Sequence, residues 1–237
     1  MFFKTTAFAQ ETTFEERTTA FSSERSGGIG MHTNGFHAFF RYGKYLTGFT
    51  KRVYEIEVGN IKHPKEIRSV NPLEDNLRGY IFGKKNSLYV IRPTIGFHKE
   101  FVPKQSLKGV SITYVTQFGP SLGLVKPVYL NIERMDNAGT RIIVREKYDP
   151  EVHDQGQIYG RASFLNGFEE IKLYPGAFVK AGLQFDYGVA QEDLRALEVG
   201  LMADLYTKKV PIMAFTSNRQ FYLNLYVSYM FGSRDLR

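Results

Sequence analysis

The segment Phe221–Gly232 reads FYLNLYVSYMFG, and its residues alternate in character without a break. Phe221, Leu223, Leu225, Val227, Tyr229 and Phe231 fall on one face of an extended strand, while Tyr222, Asn224, Tyr226, Ser228 and Met230 fall on the other. A period of two means a β-strand lying between two unlike surroundings. Six other segments follow the same rule: Phe36–Tyr42, Arg52–Gly59, Tyr89–His98, Val110–Gly119, Gly176–Tyr187 and Leu194–Tyr206. Most are about ten residues long, the length with which a tilted strand crosses a bilayer.

The polar faces decide between a soluble sandwich and a membrane barrel. They mix Gly, Ser and Thr with charges of both signs: Arg41, Glu55, Glu57, Arg92, Lys180, Asp186, Glu198 and Asp204. The apolar faces carry aromatics near the strand ends, as an interfacial girdle does. Charges of opposite sign that point into a narrow closed barrel neutralise one another, and a ring of about eight strands leaves room for little but side chains. The chain is therefore read as an all-β, membrane-spanning, antiparallel up-and-down barrel of about eight strands, with a packed polar lumen. Short turns at Gly43–Gly48, Pro103–Lys108 and Gly188–Asp193, against long connections at Lys62–Lys85 and Pro127–Leu173, match short periplasmic turns and long outer loops. The eighth strand must precede Phe36, and Thr19–Met31 is the better candidate despite poor alternation. Thr140–Glu146 reads as an extension hairpin or part of a loop cap, and Gly160–Ile171 as a short helix.

Composition agrees. Aromatics make up 15% of the 237 residues, all Phe and Tyr, and Gly occurs 22 times, a mixture suited to strands and tight turns. The absence of cysteine excludes disulfide frameworks, thiolate metal sites and cysteine nucleophiles. A net charge of +7 is spread along the chain without a basic block, which suits solvated loops facing anionic headgroups and gives no nucleic-acid footprint. Ala7-Phe8-Ala9 is a small-x-small cleavage pattern, so residues 1–9 read as a signal-peptide remnant and residues 10–237 as a single outer-membrane barrel domain.

The final strand, with Tyr229 and Phe231 at its close, resembles the C-terminal signal read by the bacterial barrel assembly machinery, although GSRDLR trails behind it. HTNGFHAFFRYGK, NIKHPKEIRSVNP, KPVYLNI and RALEVG together resemble a family of small outer-membrane barrel proteins of Bacteroidota. That resemblance spans about Gly27 to Phe231. It implies an outer-membrane location and a place among envelope assembly or secretion complexes, with outer-membrane lipid, lipopolysaccharide and envelope proteins as partners.

Motifs for chemistry are sparse. Gly27–Gly30 (GGIG) lies in a strand and not between a strand and a helix, so close backbone packing explains it better than a phosphate cradle. His32, Thr33 and Asn34, with His37 as a second candidate, are the residues a lipid-modifying enzyme would use, a base beside an acyl chain. Lys62, His63, Lys65, Glu66 and Arg68 open a long loop and could grip lipopolysaccharide phosphates or an acidic partner. Asp149, Glu151, His153 and Asp154 supply oxygen-rich ligands but not the spacing of a calcium loop. Glu55 and Glu57 are same-face neighbours, read as members of a salt-bridge network and not as an acid–base pair. No catalytic residue, metal or cofactor is assigned. The preferred function is a non-catalytic accessory subunit of an envelope complex; the alternatives are a lipid-modifying enzyme, a small passive channel, and a soluble barrel binding an apolar ligand.

Overall fold

The computed structural model describes residues 21–69, 79–104, 109–189 and 192–236. Ala7-Phe8-Ala9 lies outside them. Strand β1 covers Phe21–His32, β2 Gly35–Tyr45, β3 Thr50–Ile61, β4 Arg68–Ser69, β5 Tyr80–Ile81, β6 Asn86–Val102 and β7 Ser111–Pro127. The second half holds β8 Tyr129–Met135, β9 Arg141–Lys147, β10 Ile158–Arg161, β11 Lys172–Asp186, β12 Asp193–Val210 and β13 Arg219–Leu236. Eight of these close into one antiparallel barrel, in the order β1-β13-β12-β11-β7-β6-β3-β2. Closure joins the first strand to the last, Phe21 opposite Leu236 and His32 opposite Tyr226. The eighth strand is thus the segment before Phe36, as its position required.

The alternation resolves into inside and outside. Phe221, Leu223, Leu225, Val227, Tyr229 and Phe231 are all exposed, while Asn224, Tyr226, Ser228 and Met230 are buried in the lumen. The other strands obey the same rule. Ile29 and Met31, Phe36 and Phe40, Tyr54, Ile56 and Val58, Tyr114 and Phe118, Val179, Leu201 and Leu205 all face outward. The wall is apolar and the interior polar, the reverse of a water-soluble barrel. Along β13 the uncharged outward run from Phe221 to Phe231 rises about 34 Å. At a tilt of about 45° this makes a band near 25 Å tall, the height of the apolar belt of outer-membrane barrels.

Both described chain ends lie at one rim, together with the connection 46–49 and the described ends 103–104, 109–110 and 187–189 of two others. The opposite rim carries the tight turn at residues 33–34 and the described parts of the connections, 62–69, 79–85, 128–171 and 211–218. These long connections fold together. Strands β10, β8 and β9 form a separate three-stranded sheet above the barrel mouth. Tyr80, Leu130, Ile132, Tyr148 and Ile158 make its core. Backbone bonds from Val128 N to Lys85 O and from Ala214 N to Gly83 O tie the three connections to one another. Arg141–Lys147 is therefore part of a loop cap.

Three expectations are corrected. Gly160–Ile171 forms no helix: Ile158–Arg161 is strand β10 and the remainder runs through turns, with Gly167 at a positive φ (86°) that a right-handed helix does not allow. The residues after Phe231 are not a trailing tail, since β13 continues to Leu236 with Arg25 opposite Ser233 and Glu24 opposite Arg234. The lumen is not polar throughout. Toward the capped rim it is filled by Ile61, Leu88, Val90, Val125, Tyr206 and Val210, with Ile212 and Met213 descending from the 211–218 connection.

Candidate functional site

The lumen below that apolar plug is built from ion pairs. Arg41 on β2 donates Nε–H to Glu55 Oε2 (2.6 Å) on the adjacent β3 and Nη1–H to Glu198 Oε2 (2.9 Å) on β12. Lys180 on β11 lies between Glu55 (3.2 Å), Glu198 (3.1 Å) and Glu57 (3.6 Å). Arg92 on β6 grips Asp204 with two parallel bonds, Nε to Oδ1 at 2.9 Å and Nη2 to Oδ2 at 2.6 Å, and pairs with Glu57 through Nη1. The side chains of these seven residues are wholly buried. Aromatic faces support the cations: Arg92 lies 4.6 Å from the Phe178 ring centre and Lys180 lies 4.8 Å from that of Tyr226.

Asp186 does not join this cluster. It belongs to a second layer at the rim of the chain ends, where Arg234 holds both Glu24 (3.1 Å) and Asp186 (2.5 Å). Lys51 pairs with Glu24, and Lys104 lies 3.3 Å from Asp186. Sequence reasoning missed Glu24, Lys51, Lys104 and Arg234. Continuing the period of two from Phe231 through Arg234 was the signal that would have found the last of them. The two layers balance only together: Arg41, Lys51, Arg92, Lys104, Lys180 and Arg234 face Glu24, Glu55, Glu57, Asp186, Glu198 and Asp204, six charges against six. Ion pairs of this density bind the strands across the lumen. Their desolvation is offset only because each charge has a partner.

The histidine candidates also face inward. His37 Nε2 lies 2.8 Å from Ser228 Oγ, and both residues are buried. Ser228 is a serine partner that sequence spacing could not reveal, because it sits 191 residues away across the closure of the barrel. Gly30 makes room for the pair, since a Cβ there would come within 2.5 Å of both His37 and Ser228. His32 is buried and stacks on His37 at 5.9 Å. Thr33 is spent in the turn, where its hydroxyl accepts from Leu225 N, and Asn34 donates to Asn224 Oδ1 at 2.8 Å. An acyl chain lying on the outer wall therefore does not meet His32, His37 or Ser228.

The loop candidates separate. His63 is buried, its Nδ1 accepting from Lys65 N, while Glu66 caps His63 N and pairs with Lys84 at 2.5 Å. These two build the loop. Lys62, Lys65 and Arg68 remain exposed on its surface, with Lys62 over the Phe36 ring. Asp149, Glu151, His153 and Asp154 do not converge, and among the described residues no group of three or more His, Asp or Glu could hold a metal ion. His153 instead accepts from Asp149 N and lies 2.9 Å from Glu146.

Glu146 is the electrostatic anchor of the cap sheet. Hydrogen bonds from Arg134, reinforced by His153, hold its carboxyl down to about 2 from an ordinary 4.5. A depressed carboxyl stabilises the fold fully above its unfolded value and ceases to do so as pH falls through the folded one. The β8–β9 pairing is therefore expected to hold unchanged from pH 7 to 5 and to weaken between about pH 4 and 2. Amide exchange of β8 and β9 measures this, and Glu146→Gln should abolish the pH dependence.

No protein-family model matches the chain, and no curated protein does. Among solved structures it is similar to Neisserial surface protein A, at 9% identity and a TM-score of 0.43, over 91% of this chain and 97% of that one. It is similar to Ail, the attachment invasion locus protein of Yersinia pestis, at 10% identity and a TM-score of 0.43, over 91% and 98%. The N-terminal β-barrel domain of Pseudomonas aeruginosa OprF aligns at 8% identity and a TM-score of 0.36, over 89% and 96%.

Proposed function

We propose that this chain is an outer-membrane barrel that works without catalysis, as an accessory or structural subunit of an envelope protein complex. The observation that carries the reading is the division of labour in the barrel: an apolar wall, a lumen closed by ion pairs, and a folded cap on the long-loop rim. Ion pairs across the middle of the lumen and apolar side chains at its capped end favour the wall and the cap as the working surfaces. Lys62, Lys65 and Arg68 at the base of the cap suit lipopolysaccharide phosphates as a co-ligand. The sequence resemblance to Bacteroidota barrels points to an assembly or secretion complex of that phylum.

The test is affinity isolation from native membranes in mild detergent, with copy numbers read by mass spectrometry. A constant set of envelope proteins at fixed stoichiometry is expected; recovery as a lone barrel would overturn the subunit reading. In planar bilayers the purified barrel is expected to give no stepwise conductance. Regular single-channel steps would mean that the ion-pair layers open and would revive the channel.

A further inference from the structure

The outer strand of the cap has a free edge. In the sheet order β10-β8-β9, strand β9 has a neighbour on one side alone among the described residues. Its hydrogen-bonding phase follows from the two ends of the hairpin. Asp136 N donates to Thr140 O, and Tyr148 N donates to Val128 O. Residues alternate in an antiparallel ladder, so Ile142, Val144 and Glu146 direct their N–H and C=O groups at β8. Arg141, Ile143, Arg145 and Lys147 direct theirs away from it, and among the described residues no backbone bond satisfies them from outside the hairpin. Such an edge is a template for another strand.

The edge has charged flanks, as edges commonly do, but its centre is open to pairing. It has no proline and no bulge, and its centre is apolar, with Ile142 and Ile143 exposed at 41% and 53%. The flanks are basic: Arg141, Arg145 and Lys147 are exposed, and their side-chain partners Glu133, Asn166 and Glu170 are surface groups that hold them weakly. The charges also argue against a second copy of this chain. Antiparallel self-pairing centred on Ile143 sets Arg141 opposite Arg145, and centring on Val144 sets Arg141 opposite Lys147.

We infer that β9 is a docking edge for an extended segment of a partner protein, apolar at its centre and carrying Asp or Glu opposite Arg141, Arg145 and Lys147. The partner adds a fourth strand to the cap by β-augmentation. The inference rests on the proposed role as a complex subunit and names the surface through which that role is exercised.

The probe is the peptide Glu-Val-Glu-Val-Val-Val-Glu, blocked at both ends, added to the full chain folded in detergent micelles. Binding is expected to slow amide exchange at Arg141, Ile143, Arg145 and Lys147. The same peptide with Lys in place of Glu should not bind. Ile143→Pro removes an outward N–H without touching the bonds to β8, so the cap stays folded, with Ile142 and Val144 amides still protected. It should weaken binding about tenfold or more, whereas Ile143→Ala, which keeps the N–H, should bind within a few-fold of wild type. Absence of binding by the wild type, equal binding of the two peptides, or an unaffected Ile143→Pro would each overturn the assignment. Isolation from native membranes separates the two readings. A complex that survives Ile143→Pro intact sinks the docking edge and leaves the subunit role standing. A wild-type barrel recovered alone sinks the subunit role, while the peptide result still decides whether the edge binds acidic strands.

Discussion

Replacing Arg92 with Met is expected to destabilise the barrel by about 3–5 kcal/mol, the cost of stranding buried carboxylates whose partner has gone. Arg92 is the one cation bonded to Asp204 among the described ion pairs, and it shares Glu57 with Lys180, which is 3.6 Å away. Without it, Asp204 keeps a hydroxyl bond from Ser121 at 2.8 Å and no positive charge. The central layer holds three cations against four carboxylates, so the loss leaves two against four. The double substitution Arg92→Met with Asp204→Asn returns the excess to one carboxylate and should recover more than half of the loss. Urea unfolding of the barrel in phospholipid vesicles reads both numbers. If Arg92→Met lay within about 1 kcal/mol of wild type, the layer would be hydrated and its pairs worth no more than surface ones.

The architecture was legible in the sequence because a bilayer imposes a demanding pattern. Every outward position from Phe221 to Phe231 must be apolar, and the inward ones are free to carry charge, so the period of two stands out. The pattern fails where that contrast fails. In β1 the inward positions Gly28 and Gly30 are glycines, forced by Phe39 and by the His37–Ser228 pair that occupy the space a Cβ would need. Glycine has no polarity to read, and the strand was recognisable mainly by the parity of the count. At the capped rim the inward residues Leu88, Val90, Val125 and Tyr206 are as apolar as their outward neighbours, so the ends of β6, β7 and β12 lost their alternation. The lumen charges could be listed, but not their partners. Arg92 and Asp204 are 112 residues apart, and which of four carboxylates an arginine meets depends on barrel closure and strand stagger, which no local spacing encodes. For the same reason Asp186 falls into a separate layer with Arg234. The free edge of β9 is a matter of strand order, and a seven-residue strand looks alike in sequence whether it is central or outermost.

Leu225→Arg should cost about 2–4 kcal/mol in vesicles, and the cost should shrink to about 0–1 kcal/mol when Arg is placed instead at Ser233. Leu225 sits mid-way along the outward run of β13 at 67% exposure, with Leu201 beside it on β12. Ser233 lies beyond the last aromatic of the run, between Arg25 on β1 and Asp193 on β12, so an arginine there meets one like and one opposite charge. Both positions are exposed on the outer face, so their difference reports chiefly the solvent outside the wall. In water an exposed leucine can be exchanged for arginine within about 0.5 kcal/mol, and depth along the strand would have no meaning. In hydrocarbon the guanidinium must carry water inward or reach a headgroup, and the penalty grows with distance from the rim. A flat profile from Leu225 to Ser233 would therefore remove the membrane from the account of this barrel, whereas a peak at Leu225 would establish that the oily face of FYLNLYVSYMFG is dissolved in lipid.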